Sequence, residues 1–162
     1  MDHGQAAIDG SAKVDFGLVS LRMIRLFVIL RRAGILAQRR LFDLSETEWR
    51  IMTQLGEAQP LSLNGLAEAM MQDRGQLSRA VKTMVERGLL TRERKPGGPE
   101  IEIALSDDGR ALYARMVDWV HERERELTSG LADEDLATVW RVLGTMRDRA
   151  HALVEKEQQL GG

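Results

Sequence analysis

The chain has 162 residues, an apolar fraction of 43%, an aromatic fraction of 4% and a formal net charge of −2, so its core must come from aliphatic side chains and Met. It has no Cys, which excludes disulfides, thiolate nucleophiles and Cys-based zinc sites, and His3, His121 and His151 are too scattered for metal-ligand spacing. The net charge argues against a generally basic nucleic-acid coat. Charge is unevenly placed, however: Arg74–Lys95 carries seven basic residues against two Glu, whereas the stretch from Asp107 onward carries twelve acids against eight bases.

Residues 1–13 are polar and acidic, unlike a secretory signal, and predict a flexible tail. A long helix is predicted from about Val14 to Gln38, with Leu18, Leu21, Ile24, Val28 and Ile35 near helical spacing. Within it, Leu26–Leu30 is the most apolar run, bracketed by Arg25 and Arg31 and too short to span a bilayer. A soluble, cytoplasmic protein is expected, with no membrane partner. Ser45-Glu46-Thr47-Glu48 has the form of a capping box, opening a helix that buries Trp49, Met52 and Leu55 and runs out at Gly56.

Pro60 blocks helix, Leu61 reads as extended, and a short helix from Leu63 to Met71 turns Leu66, Ala67 and Met70 inward. Gln72–Arg74 make a turn, with Asp73 as N-cap and Gln76 three residues later. In the next helix, Arg74–Arg87, Leu77, Val81, Met84 and Val85 form one apolar face. Roughly opposite lie Gly75, Gln76, Arg79, Lys82, Thr83 and Glu86. Gly88 supplies a left-handed stop.

Leu90–Arg94 then leads into Pro96-Gly97-Gly98-Pro99, a turn by composition, and Ile101, Ile103 and Leu105 alternate as a half-buried strand. Ser106 caps a helix carrying Leu112, Met116, Val120 and Leu127. Asp133 opens a last one with Leu136, Val139, Trp140, Leu143, Met146, Ala150 and Leu153. The fold class is mainly α with a small β-hairpin (α+β).

From Leu44 to Ser106 this order is helix, short helix, turn, basic-faced helix and hairpin, which is a winged helix–turn–helix. Two short helices joined by about three residues cross steeply and leave the second proud of the surface. Such a helix fits the major groove of double-stranded DNA, where each base pair shows a distinct donor–acceptor edge. Arg79 is the first candidate for base reading, because guanidinium grips guanine bidentately, and Gln76 the second, its amide matching adenine. Ser78 and Lys82 suit phosphates, which fix register without reading sequence; Arg74 suits either role. Arg92, Arg94 and Lys95 in the hairpin suit the backbone or the adjoining minor groove. Lys82 and Glu86 also form an i,i+4 pair, which competes for Lys82.

Leu44-Ser45-Glu46-Thr47-Glu48-Trp49-Arg50 and Pro60-Leu61-Ser62-Leu63-Asn64-Gly65-Leu66-Ala67, with Gln76-Leu77-Ser78-Arg79, Val85-Glu86-Arg87-Gly88-Leu89-Leu90, Arg92 and Leu105-Ser106-Asp107-Asp108-Gly109, resemble the MarR family, the multiple-antibiotic-resistance type of regulator. The resemblance spans about residues 15–155 and in the flanks rests on helix order alone. It implies a homodimer with intertwined terminal helices, bound to a pseudo-palindromic operator as a repressor and released by a small molecule. On that plan residues 14–44 and 107–162 form the helical dimerisation region and 45–106 the DNA-binding domain. The apolar faces of the flanking helices, too extensive for a central module to cover, point the same way, and two-fold symmetry would set two reading helices about one DNA turn apart. One departure stands out. The family commonly carries Asp followed closely by Arg where the second wing strand starts; here the stretch is Gly97-Gly98-Pro99-Glu100, leaving minor-groove contact open or passed to Arg94 and Lys95.

Without Cys, thiol sensing by the protein is excluded, and zinc sensing lacks clustered ligands, so an organic effector is expected and no cofactor. Arg22 and Arg25 interrupt the apolar run Leu21–Leu30 at i and i+3. Buried there, they would need an anionic partner: either acids around Glu122–Glu126 of either subunit or the carboxylate of an effector. The resemblance to phenolic-acid-responsive members favours an anionic or phenolic molecule, an aromatic acid or its thioester among the candidates. His121 and Trp49 are candidate pocket residues beside the simpler reading of a structural His and a core Trp. The alternatives to a ligand-responsive repressor are an architectural DNA binder and a protein-interaction adaptor without effector response. An enzyme is not expected: no phosphate loop, nucleophile elbow or metal motif occurs, and the acids at Asp107-Asp108 and Asp133-Glu134-Asp135 sit where helix starts explain them.

Overall fold

The computed structural model describes residues 17–94 and 101–161. Its elements in chain order are α1 (Val19–Phe42), α2 (Glu46–Glu57), β1 (Leu61–Ser62), α3 (Leu63–Met70), α4 (Arg74–Glu86), β2 (Leu90–Arg94), β3 (Ile101–Leu105), α5 (Asp107–Thr128) and α6 (Asp133–Leu160). Contacts divide the chain into two compact units, one ending at Ala114 and one beginning at Arg115, within α5. The expected tail, residues 1–13, and the turn at Pro96–Pro99 lie outside the described residues, as does Lys95.

The first unit holds a core of Leu44, Ile51, Met52, Leu55, Leu66, Leu77, Val81, Met84, Ile103 and Leu105, each at most 2% exposed. Burying side chains of this size stabilises a fold by about 1.5–3 kcal/mol each. Local chemistry sets the elements that meet there. Ser45 and Glu48 form the capping box in full: the Ser45 Oγ accepts from the Glu48 amide at 3.3 Å, and the Ser45 amide donates to Glu48 Oε2 at 2.8 Å. The Ser62 Oγ accepts from the Gly65 amide at 3.1 Å and opens α3.

Several boundaries differ from the sequence reading. α1 runs on to Phe42 and ends at Asp43, whose φ of 51° is left-handed. Arg39 and Arg40, beyond the expected end at Gln38, form the basic last turn that suits the negative end of the helix dipole. α2 passes through Gly56 to Glu57. This glycine is a contact point, not a stop: the Tyr113 ring lies where its Cβ would be. Trp49 is half-buried, packing edge-to-face on Phe42 with ring centroids 5.5 Å apart.

The hairpin gains a third strand. β3 pairs antiparallel with β2 (Leu90 opposite Leu105, Arg92 opposite Ile103) and, on its other edge, with β1 (Leu61 opposite Ile103), giving the order β1-β3-β2. The Gln59 side-chain oxygen accepts from the Leu105 amide at 3.0 Å beyond the end of β1. Ser106 then anchors the sheet to the end of α4. Its Oγ donates to the Gly88 carbonyl at 2.6 Å and accepts from the Gly109 amide at 2.9 Å, capping α5 as expected. Gly109 sits so close to the Leu89 carbonyl that a larger residue would displace the strand end.

In the second unit α6 extends over 28 residues and buries none of them; Asp133, Glu134 and Asp135 occupy its first turn, where acids favour the positive helix end. No described helix is long and apolar enough to cross a membrane.

Candidate nucleic-acid interface

α4 is set by its two ends and its apolar side. At the start, Asp73 Oδ1 accepts from the Gln76 amide at 2.9 Å, the N-cap expected from sequence. At the end, the Arg87 amide closes on the Thr83 carbonyl and Gly88 takes a φ of 74°. Leu77, Val81 and Met84 are buried, and Val85, placed on the same face by its spacing, is half-buried. The helix packs on α2, α3 and β2.

This packing leaves Arg74, Gly75, Gln76, Arg79, Lys82, Thr83 and Glu86 exposed. Of the sequence candidates on α4, Arg74, Gln76, Arg79 and Lys82 therefore share the outward side, while Ser78 is half-buried toward the sheet. Lys82 Nζ lies 3.8 Å from Glu86 Oε1, with both side chains mostly exposed; such a pair contributes only a few tenths of a kcal/mol and does not hold Lys82 back. Arg92 and Arg94 are exposed on β2, two residues apart and so on one face of the strand. Arg92 and Ser78 line one small gap of about 20 Å³ with Leu63, Val81, Ile101 and Ile103, which brings the start of the wing against α4.

Two arginines missed by the sequence reading hold this arrangement from behind. Arg50 Nη2 donates to the Met70 carbonyl at 2.6 Å, satisfying the end of α3 just before the turn into α4. Arg87 Nη1 donates to Glu48 Oε1 at 2.9 Å, and its Nη2 donates to the Asp43 carbonyl at 2.7 Å and Asp43 Oδ2 at 3.2 Å. Glu48 answers to two demands at once. Burial is the largest influence and pushes its carboxyl up; the Ser45 amide and hydroxyl and the Arg87 guanidinium together outweigh burial and hold it below the ordinary carboxylate value. The available signal was the capping box itself, whose Glu is committed to a structural bond and so attracts a cation.

The effector candidates of the first unit, Arg22, Arg25 and Trp49, do not converge. Arg22 and Arg25, expected to be buried by the apolar residues around them, are exposed because that run is itself exposed, with Ile24 at 58% and Phe27 at 64%. Arg25 precedes Phe42, the partner of Trp49, by 17 residues of α1, about 25 Å along the axis. His121 is exposed on α5 in the second unit. An open hollow of about 280 Å³ lies along α1, lined by Phe27, Val28, Arg31, Arg32, Ile35 and Leu36. Among the described residues there is no cluster of three or more His, Asp or Glu able to hold a metal ion.

Residues 44–97 match the model of the MarR family. The match begins at the buried Leu44 and takes in the capped α2, the α3–turn–α4 unit and β2. Solved structures extend the likeness to most of the chain. FabT of Streptococcus pneumoniae, in complex with DNA, is 15% identical with a TM-score of 0.73, covering 86% of this chain and 99% of its own. MepR, a transcription regulator of the Staphylococcus aureus multidrug efflux pump MepA, is 17% identical with a TM-score of 0.73, covering 82% and 98%. BpsR of Bordetella bronchiseptica, whose DNA binding is regulated by 6-hydroxynicotinic acid, is 19% identical with a TM-score of 0.59, covering 79% and 98%. At these identities the likeness is one of fold. No curated protein matches the chain in sequence.

Proposed function

We propose that this MarR-type chain is a transcriptional regulator that binds double-stranded DNA as a homodimer, each protomer laying α4 in the major groove. The observation that carries this reading is the outward side of α4, where Arg74, Gln76, Arg79 and Lys82 stand exposed on a helix whose other side is fixed in the core. Arg79 reads a guanine and Gln76 an adenine. Because Asp73 already accepts from the Gln76 amide, Gln76 acts through its side chain, and phosphate contacts at that end fall to Arg74. Lys82, Ser78, Arg92, Arg94 and Lys95 hold the DNA backbone, Arg92 lying beside α4. A net charge of −2 disfavours an architectural binder that depends on many unspecific phosphate contacts.

The finer reading is a repressor released by a small anionic or phenolic molecule. Its support is the effector stated for BpsR and the cationic, apolar surface of α1, where Arg22, Arg25 and Arg32 stand among exposed aliphatic residues. Trp49 and His121 remain the further candidates for such a site in the assembled dimer.

The test is selection from a random duplex library by the full chain, followed by fluorescence anisotropy with wild type and Arg79→Ala. Losing one bidentate base contact should weaken the selected duplex by about tenfold or more, with a random duplex bound as before. Equal affinity of the two proteins for the selected duplex would remove α4 as reader. Repeating the titration with 6-hydroxynicotinate and other aromatic acids tests release.

A further inference from the structure

The first turn of α2 is tied by charge both to the middle of α1 and to the end of α4. On one side Arg31 of α1 makes a two-pronged contact with Glu46, at 2.9 and 2.7 Å. On the other, Arg87 bridges Glu48 and the Asp43 carbonyl, so one guanidinium at the C-cap of α4 holds the turn after α1 and the start of α2 together. The two ties are unequal. Arg31 and Glu46 are 51% and 40% exposed, and pairs so exposed hold geometry weakly. Arg87 and Glu48 are 31% and 12% exposed, and the flat fork of Arg87 is used on both prongs.

We infer that Arg87 is a positioning residue that fixes the angle of α4 relative to α1, and with it the spacing of half-sites the protein accepts. The inference rests on the reading of α4 as the DNA-contacting helix of a dimer. The apolar side of α4 specifies where the helix packs but tolerates small rotations, because dispersion contacts are non-directional. Hydrogen bonds from a rigid fork are directional. The helix has 13 residues and so is about 20 Å long; a tilt of about 10° about its C-cap moves its N-terminus by about 3 Å. That is close to one base-pair step along DNA. The contact at one end therefore controls the register of Arg74, Gln76 and Arg79 at the other.

The experiment uses the full chain, the duplex that wild type selects, versions of it with one base pair inserted or removed between half-sites, and a random duplex. Wild type should lose about tenfold or more in affinity on either change of spacing. Arg87→Ala should shrink that penalty to about threefold or less, with binding to the random duplex unaltered, and Arg87→Lys, which cannot span both acceptors, should fall between. Circular dichroism checks that each variant is folded at the assay temperature. Should Arg87→Ala fail to fold, Glu48→Gln replaces it; it keeps the bond to the Asp43 carbonyl and should relax the spacing in the same direction by less. A spacing penalty unchanged from wild type, or a loss equal across all duplexes, would overturn the positioning role. A wild type that selects no duplex at all would instead bring down the regulator reading, and this inference with it.

Discussion

α4 and α6 are both amphipathic helices, yet the chain treats their apolar sides in opposite ways. On α4, Leu77, Val81 and Met84 are covered by the rest of the first unit to within 2%. On α6, nothing is buried: Trp140 is 70% exposed, Leu153 62%, Val154 55% and Val139 49%. The same sequence pattern thus produces a finished structural face in one place and an uncovered one in the other. Where the apolar side is buried, the polar side becomes the working surface. Where it is exposed, the apolar side is itself the surface awaiting contact, since each large aliphatic side chain left in water forgoes about 1.5–3 kcal/mol. A second copy of the chain is the occupant proposed above, which accounts for the exposed face of α1 in the same way.

The largest effect should come from attacking the uncovered side. Replacing Val139 and Leu143 together by Glu puts two charges on one stripe of α6, four residues apart. Sedimentation velocity should show a shift from dimer to monomer, with affinity for the selected duplex falling about a hundredfold or more as avidity is lost. A variant that stays dimeric would place the interface elsewhere. On the covered side the expected loss is of another kind. Leu77→Ala removes a fully buried side chain and should lower unfolding stability by about 3 kcal/mol in urea. Its effect on the first unit should appear at any protein concentration, whereas the α6 variant should matter only through assembly.

The two sides were also unequally legible. The caps at Ser45, Asp73 and Ser106 were readable because a short polar side chain, a fixed offset and an apolar period coincide at each. The apolar side of α4 and the buried alternation of Ile103 and Leu105 followed from period alone. β1 was not readable as a strand, since two residues carry no alternation and its partner lies some forty residues away. Gly56 was misread as a stop because only Tyr113, distant in sequence, explains it. Arg22 and Arg25 are exposed in the single chain because an apolar run says that a face wants covering, not that its own chain covers it. Arg87 was quoted only as part of a motif, its partners at Asp43 and Glu48 being brought to it by tertiary packing.

Within the covered unit, charge adds a smaller and pH-dependent share. Glu48 is held below its ordinary value of 4.5, burial being outweighed by Ser45 and Arg87. A depressed carboxyl contributes stability that is present above the unfolded-state value and is lost as pH falls through the folded one. Glu48→Gln should therefore be less stable than wild type near neutrality, with the gap narrowing as pH drops below about 4. Urea unfolding at a series of pH values measures it. Glu46→Gln, whose pair with Arg31 is far more exposed, should open a smaller gap at neutral pH. A gap for Glu48→Gln that is constant with pH would mean that shape rather than charge sets the contribution of Glu48.

The smallest effect concerns a residue neither covered nor awaiting cover. Met71, in the turn between α3 and α4, has φ 48° and ψ 47° and is 95% exposed. Its amide still closes α3 by donating toward the Ala67 and Glu68 carbonyls, so the left-handed conformation is imposed by the cap rather than by any contact of the side chain. A residue with a Cβ pays about 1 kcal/mol for that conformation, and glycine does not. Met71→Gly should therefore raise unfolding stability by about 0.5–1 kcal/mol, the unfolded chain's extra freedom taking back part of the relief. The affinity for the selected duplex should be unmoved, because the turn then keeps its shape and no proposed contact is removed. If the variant is instead destabilised, or loses specific DNA affinity while folded, the methionine side chain has a partner outside its own chain. The contrast between covered and uncovered surfaces would then extend to the turn that leads into α4.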